Sequence, residues 1–398
     1  MPADTLRVVE SGYLAPRQVI AGPGASRSCG HSLLTWGVPR GRAVVIADRV
    51  VAEAGLLDSV LSGLAEAGFT PDVFAEINGE PDADVTTRAS DLARSANAVA
   101  VIGVGGGSAM DVAKVVALLL TNAGEVGDWL GVVAPAVPVA PLVLVPSTTG
   151  TGAEATRISM ITVGGLKRIL SCIQFVPLLA VLDDDLVAGL PAHVVASTGM
   201  DALAHGVESI LSTNRSSFTL AAATRAITML RVDLEPAVLG DPGARARVLY
   251  AAHLAGLALN AGVVVGHSLA YVIARHAPMS HGTSCALALP YCLAYNRSVE
   301  KPLADHLAHA ITGNPAARLE LATEHVGSLA ERLDQPRSLE KVGIGEAEIE
   351  SMAGETVTDY PRPNNPVPLE RDALRSLLDH MRVGDLAAAW RSDGGRTA

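Results

Sequence analysis

Short apolar runs alternate with segments of helical period along the first half of the chain. Runs of this length predict buried strands, and the longer periodic segments between them predict helices. The predicted strands cover residues 43–47, 71–77, 98–104, 141–147 and 178–183, and the predicted helices 51–68, 82–96 and 108–120. Strand–helix alternation of this kind predicts a doubly wound, mostly parallel sheet of the Rossmann-like type, with helices on both faces.

The pattern changes after Asp185, where helical periods dominate and strand-like runs become rare. We therefore expect two domains: an α/β dinucleotide-binding domain over residues 1–185 and an all-α domain over residues 186–398. The proline-containing apolar stretch 131–146 is too short for a membrane-spanning helix. It predicts a loop that leads into a buried strand.

Composition narrows the possible partners and the compartment. The net charge of −11, with no long basic run, argues against nucleic acid or an anionic membrane as the main partner. The four cysteines form no CxxC pair, and the N-terminus lacks a basic stretch followed by an apolar one. A cytoplasmic location without a signal peptide is therefore expected.

A glycine-rich turn, "GVGGGSAMDVAK" (103–114), follows a predicted strand and opens a predicted helix. Successive glycines allow close backbone approach, and the helix N-terminus favours an anion such as a phosphate. A tight turn closed by a capping box of Ser108 and Asp111 is the alternative. The spacing is neither the G-x-G-x-x-G fingerprint nor a P-loop.

Two further features lie at the carboxyl ends of neighbouring predicted strands. The loop "PSTTGTGAEAT" (146–156) is rich in hydroxyls and glycine, and with the first loop it predicts a nucleotide crevice, although an ordinary polar turn is possible. Asp48 follows the strand 43–47. Its carboxylate would accept from a ribose 2′-hydroxyl and repel a 2′-phosphate, which favours NAD(H) over NADP(H); a helix N-cap is the other interpretation.

Histidines and one aspartate in the second half suggest a metal site. Asp201 and His205 are four positions apart in a predicted helix and therefore share one face, although a solvated Asp–His face would show the same spacing. His267 and His281 would be about 21 Å apart in one continuous helix, but Pro278 predicts a break that lets His281 fold back. One aspartate and several histidines suit Fe²⁺ or Zn²⁺.

With these motifs in view, the sequence resembles the iron-containing (group III) alcohol dehydrogenases over nearly its whole length. The motifs that carry the resemblance are "GGGSAMDVAK", "PSTTGTGAE", "TGMDALAHGVES" and "GHSLAYVIARHAPMSHG", in the family's order and spacing. The resemblance implies a dehydroquinate synthase-like architecture, a divalent metal and at least a homodimer. The implied metal ligands are Asp201, His205, His267 and His281, and the implied catalytic residues are His267, Tyr271 and His281.

The resemblance also implies the residues that bind the cofactor. These are Asp48, Gly105, Gly106, Gly107, Ser108, Asp111, Lys114, Ser147, Thr148, Thr149 and Thr151. Two departures from the family pattern stand out. The second loop differs at Ser147, Thr149 and Ala153, and Tyr271 occupies a place where many members have a histidine linked to proton transfer. His276 is a possible substitute for that histidine.

The expected function is metal-dependent, NAD(P)-linked hydride transfer between nicotinamide C4 and a small aldehyde or alcohol. Three alternatives stay open: a metal-independent enzyme like the maleylacetate reductases, a lyase like the dehydroquinate synthases, and a nucleotide-binding protein without catalysis. The substrate itself cannot be read from the sequence.

Overall fold

The computed structural model describes residues 6–9 and 12–392, which divide into two compact units. One unit is Leu14–Leu190, and the other is Pro191–Ala398 together with the segment Met1–Tyr13. The division falls five residues after the boundary expected from the sequence.

The first unit is a doubly wound α/β structure. Its strands are β1 (Gln18–Gly22), β2 (Arg42–Asp48), β3 (Thr70–Ile77), β4 (Ala100–Gly105), β5 (Gly131–Val132), β6 (Leu142–Pro146), β7 (Ile158–Val163), β8 (Leu166–Ser171) and β9 (Leu179–Asp183). Its helices are α1 (Cys29–Thr35), α2 (Arg49–Glu53), α3 (Asp58–Glu66), α4 (Ala83–Ser95), α5 (Gly107–Thr121) and α6 (Asp184–Ala188). The predicted helix 51–68 is divided between α2 and α3, because Gly55 between them adopts a φ of 71°.

The main sheet has six strands in the order β1-β9-β6-β4-β2-β3, and every pairing is parallel. Alternate residues of β2 point to opposite faces: Val44 and Ile46 pack with α4 and α5, whereas Val45 packs with α1 and α3. Both faces are therefore covered, as the near-continuous apolar strands predict. The sequence analysis missed the edge strand β1 and a second sheet of order β5-β8-β7.

From Pro191 onward, the described regular elements of the second unit are all helices. Its helices are α7 (Ala192–Leu211), α8 (Ser217–Val238), α9 (Pro242–Ala258), α10 (Val265–His276), α11 (His281–Tyr295), α12 (Lys301–Thr312), α13 (Leu319–Arg332), α14 (Glu346–Thr358), α15 (Arg371–Val383) and α16 (Leu386–Arg391). The centre is α7, in which every residue from Met200 to Leu211 is buried. Among the described residues no single helix is long and apolar enough to cross a membrane, although the bent pair Pro242–Ala261 and Val265–His276 passes the same test jointly.

Candidate metal centre and cofactor loops

Asp201 and His205 lie on the inner helix α7 and are both buried. Their side chains are one helical turn apart, with Asp201 Oδ1 3.5 Å from His205 Nε2. Only 2% of Asp201 and 6% of His205 is exposed to solvent. The interpretation of this pair as a solvated polar face is therefore wrong, since every residue of α7 from Met200 to Leu211 is buried.

Two further histidines reach the same carboxylate from α10 and α11. His267 Nε2 lies 3.6 Å and His281 Nε2 3.8 Å from Asp201 Oδ1. As the sequence predicts, the chain breaks at Pro278: α10 ends at His276, and α11 begins at His281.

Close contact between α11 and α7 makes this convergence possible. A Cβ on Gly282 would lie 2.2 Å from the backbone oxygen of Ser197, so only glycine fits at this crossing. Gly282 therefore lets the first turn of α11 touch α7 and hold His281 beside Asp201.

The geometry fits a divalent ion. Asp201 Oδ1 is buried and accepts no hydrogen bond from any described residue. Metal–nitrogen and metal–oxygen bonds of about 2.1 Å at tetrahedral angles place ligand atoms about 3.4 Å apart. The separations of 3.5, 3.6 and 3.8 Å around Oδ1 are close to this value.

Asp201 and His267 have shifted pKa values in this cluster. Burial would raise the pKa of Asp201, but the nearby His205, His281 and His267 hold that pKa well below its usual range. Burial opposes the charged form of His267, yet the neighbouring Cys285, Glu208 and Asp201 raise its pKa well above the ordinary value. The cluster thus stabilises a negative charge at its centre and positive charge around it.

Glu208 is a functional candidate that the sequence analysis missed. Its Oε1 lies 2.6 Å from His267 Nδ1, and its Oε2 accepts the backbone N–H groups of Val264 and His267. With Nδ1 donating to the carboxylate, binding of a metal in place of the Nε2 proton would leave His267 in the tautomer whose Nε2 lone pair faces the ion. The available signal was the spacing Asp201, His205, Glu208, which repeats every three to four residues on one helical face.

Cys285 also lies in the cluster and was not a predicted site residue. The Sγ atom is 3.6 Å from His281 Nε2 and 3.8 Å from His267 Nε2. Burial raises the pKa of the free thiol to about 12. Among the described residues, one set of four donor atoms that could hold an ion comprises Asp201, His267, His281 and Cys285, all within 4.8 Å of one another.

Tyr271 contacts two of the predicted ligands, whereas His276 makes a different contact. The Tyr271 ring stacks on His281 at 5.2 Å between centroids and meets His267 edge-on at 6.0 Å. His276 Nε2 is instead 3.0 Å from Glu355 Oε1. Tyr271, and not His276, therefore contacts the predicted ligands.

In the other unit, the glycine-rich turn joins β4 to α5 as predicted. Gly105 adopts a φ of 154°, and Gly106 is the N-cap of α5, without any side-chain cap. The proposed capping box of Ser108 and Asp111 is therefore wrong, because Ser108 lies inside the helix. No side chain caps the backbone N–H groups at the N-terminus of α5, which is a requirement for an anion site there.

Asp48 and the second loop pack against this turn. Gly106 N–H donates to Asp48 Oδ2 at 2.7 Å, and a Cβ on Gly105 would lie 2.4 Å from the same oxygen. A Cβ on Gly107 would come within 3.1 Å of the Thr151 side chain. Asp48 is the N-cap residue of α2 but makes no side-chain cap hydrogen bond there. Its carboxylate instead accepts a hydrogen bond from the glycine turn. Burial raises the pKa of Asp48, and the Gly106 hydrogen bond partly offsets this effect.

The remaining predicted cofactor residues divide into two groups. Thr148 lies near Gly106, and its buried Oγ1 makes no hydrogen bond with any described residue, while Ser147 and Thr149 are buried beneath the loop. Asp111 and Lys114 instead tie α5 to β7 and its approach. Asp111 accepts the Met160 N–H at 3.0 Å, and the fully buried Lys114 donates to the Ile158 carbonyl at 2.6 Å.

Comparison with known proteins gives the family to which this chain is similar. Residues 16–184 match the family described as iron-containing alcohol dehydrogenase, and residues 195–381 match its C-terminal family. The long-chain-alcohol dehydrogenase 1 of Geobacillus thermodenitrificans is 33% identical over 356 residues, which are 86% of this chain and 90% of the relative. The NAD-dependent methanol dehydrogenase of Bacillus methanolicus is 28% identical over 366 residues, which are 89% of this chain and 96% of that protein.

A solved structure of a 1,3-propanediol oxidoreductase superposes with a TM-score of 0.87 at 28% identity, covering 93% of this chain and 99% of the other. The family is thus one of oxidoreductases that act on CH–OH groups, with NAD-dependent members. This chain belongs to the iron-containing alcohol dehydrogenase family.

Proposed function

We propose that this protein interconverts a small aldehyde and its alcohol with NAD(H), using an Fe²⁺ or Zn²⁺ ion held by Asp201, His205, His267 and His281. The observation that carries the proposal is the convergence of three imidazole Nε2 atoms, from three helices, on the buried Asp201 Oδ1. A buried carboxylate oxygen without a hydrogen bond among the described residues is costly unless it binds a cation.

A bound ion would supply Lewis acidity at the substrate oxygen, which stabilises the negative charge that develops there during hydride transfer. The protein's own part is to orient and to protect. Glu208 holds His267 in the ligating tautomer, and the near-complete burial of Asp201 and His267 excludes water from the ligands. Tyr271, stacked on His281, has the position to participate in the proton route with its phenol.

The unit Leu14–Leu190 would bind the dinucleotide, and the unit that begins at Pro191 would bind the metal. The N-terminus of α5 would hold the pyrophosphate through the N–H groups after Gly106, and Thr148 and Thr151 line the same turn. The Asp48 carboxylate beside this turn supports a preference for NAD(H), because it would repel the 2′-phosphate of NADP(H). Asp111 and Lys114 would act indirectly, by fixing α5.

The variant His267→Ala tests the metal assignment, and His276→Ala on the same helix is its matched control. His267→Ala should lose bound metal and turnover while it still binds NADH, measured by elemental analysis, NADH oxidation and NADH fluorescence. His276→Ala should retain all three properties, because its imidazole pairs with Glu355. Wild-type turnover in His267→Ala would show that the ligand assignment is wrong.

Two alternatives are separated by simple measurements. A metal-independent enzyme like the maleylacetate reductases would stay active after complete removal of metal by chelation. A lyase like the dehydroquinate synthases would consume no net NADH, and the family match favours an oxidoreductase over it. A panel of aldehydes and alcohols with NADH and NADPH would identify the substrate class.

A cytoplasmic location and a homodimeric state complete the proposal. The four cysteines are all free and buried, which suits a reducing compartment. The homodimer rests on the family resemblance alone, and light scattering coupled to gel filtration measures it directly.

A further inference from the structure

Cys285 is one helical turn after His281 on α11, and this spacing places the two side chains on the same face. The cysteine is 1% exposed, and its Sγ lies 3.6 Å and 3.8 Å from the Nε2 atoms of His281 and His267. Both nitrogens also face Asp201 Oδ1, the buried oxygen that accepts no hydrogen bond from a described residue. The sulfur is therefore part of the cluster around that oxygen.

The distances match those expected for two ligands of one ion. Zinc–sulfur bonds of about 2.3 Å and zinc–nitrogen bonds of about 2.05 Å, at a tetrahedral angle, place S and N about 3.6 Å apart. A thiol that only donates a hydrogen bond has one proton and favours one acceptor. Here the sulfur is at nearly equal distances from two imidazole nitrogens, which is the arrangement of ligands around a shared centre.

We infer that Cys285 Sγ is a direct ligand of the ion, together with Asp201, His267 and His281. This inference rests on the proposed metal site and extends it, because a thiolate donor changes which ion the site prefers. His205 is not part of that four-donor set, although its Nε2 lies 3.5 Å from Asp201 Oδ1. An ion bound to the thiol displaces its proton, which passes to solvent.

A sulfur ligand favours the borderline-soft Zn²⁺ over ions that prefer oxygen and nitrogen, such as Mn²⁺. Removing the sulfur should therefore weaken Zn²⁺ binding by about tenfold or more, because the loss of residues that only orient metal ligands already weakens binding by about 10–100-fold. The same change should alter Mn²⁺ binding little. The ratio of the two affinities is the quantity to measure, because general damage to the site would lower both.

Replacement of the metal by Co²⁺ in the full-length protein tests the inference directly. Wild-type protein loaded with Co²⁺ should show visible d–d bands and an intense near-ultraviolet thiolate-to-cobalt charge-transfer band. Cys285→Ala should keep the d–d bands and lose the charge-transfer band. Cys285→Ser, which retains the size of the side chain, guards against a packing defect, and Cys29→Ser on α1 of the other unit is the matched control for a buried cysteine.

Each result decides one question. Visible d–d bands in wild type without the charge-transfer band would overturn sulfur ligation and leave the proposed metal site standing. An unchanged Zn²⁺/Mn²⁺ affinity ratio in Cys285→Ala would overturn it as well. Failure of wild type to bind Co²⁺ or Zn²⁺ at all would overturn the proposed function and, with it, this inference.

Discussion

The contact between Glu208 and His267 permits a quantitative prediction about metal affinity. The change Glu208→Gln preserves the shape of the side chain but removes its charge and one acceptor oxygen. In the wild type, Oε2 accepts hydrogen bonds from two backbone N–H groups, of Val264 and His267, while Oε1 accepts a hydrogen bond from His267 Nδ1. Glutamine has one acceptor oxygen, and that oxygen is expected to remain with the two backbone donors. Its NH₂ group would then face Nδ1.

An NH₂ group facing Nδ1 forces that nitrogen to accept and moves the proton to Nε2. Nε2 is the atom directed at Asp201, so the ligating lone pair is lost in the preferred tautomer. A hydrogen bond to a charged group contributes about 1.5–3 kcal/mol, which corresponds to a weakening of metal binding by roughly 10- to 150-fold. This range overlaps the 10–100-fold typical of groups that orient metal-bound histidines.

Competition with a chromophoric chelator measures the effect on Zn²⁺ affinity. Glu355→Gln is the control, because Glu355 pairs with His276, which lies on α10 as His267 does but is outside the metal cluster. Thermal melting of both metal-free variants shows whether the fold is retained. A metal affinity within twofold of wild type in folded Glu208→Gln would refute the argument that this carboxylate sets the His267 tautomer.

Three other substitutions have expected outcomes. Asp48→Asn keeps an oxygen that can accept from the Gly106 N–H but removes the negative charge. The preference for NADH over NADPH, measured as the ratio of the two kcat/KM values, should therefore fall by about tenfold, or about 1.4 kcal/mol. An unchanged ratio would show that Asp48 does not select the cofactor. Gly282→Ala places a Cβ 2.2 Å from the Ser197 carbonyl and should destabilise the protein by about 1–3 kcal/mol in urea unfolding and weaken metal binding, whereas an unchanged unfolding midpoint would contradict the close crossing of α11 and α7. Burial lowers the pKa of Lys114 from 10.5 to about 8, so the folded chain releases this proton at a lower pH than the unfolded chain does, and the contribution of Lys114 to stability rises between these values. Lys114→Met should remove that rise. Urea unfolding at pH 8 and pH 10 measures it, and an increase in the free energy of unfolding between these pH values as large as that of the wild type would contradict the prediction.

The sequence predicted the sheet and the helical half because local signals there agree with the global fold. Buried parallel strands must be apolar on both faces, and the alternation of such runs with helical periods has few other solutions. The strand β1 and the hairpin of β7 and β8 were missed for the opposite reason. No residue of the edge strand β1 is fully buried, and half of the positions of β8 are exposed, so neither shows a continuous buried pattern.

The family resemblance named Asp201, His205, His267 and His281 as one group of ligands. Helical spacing and the proline break, which are local properties, predicted only that Asp201 shares a face with His205 and that His281 can fold back. Whether the Asp201–His205 pair was buried or solvated was decided by the packing of other helices around α7. Packing likewise decided that Glu208 faces His267, that Cys285 joins the cluster and that Lys114 contacts β7. Spacing along the chain determines which residues share a helix face, but the contacts across that face depend on helices distant in sequence, which only the tertiary structure brings together.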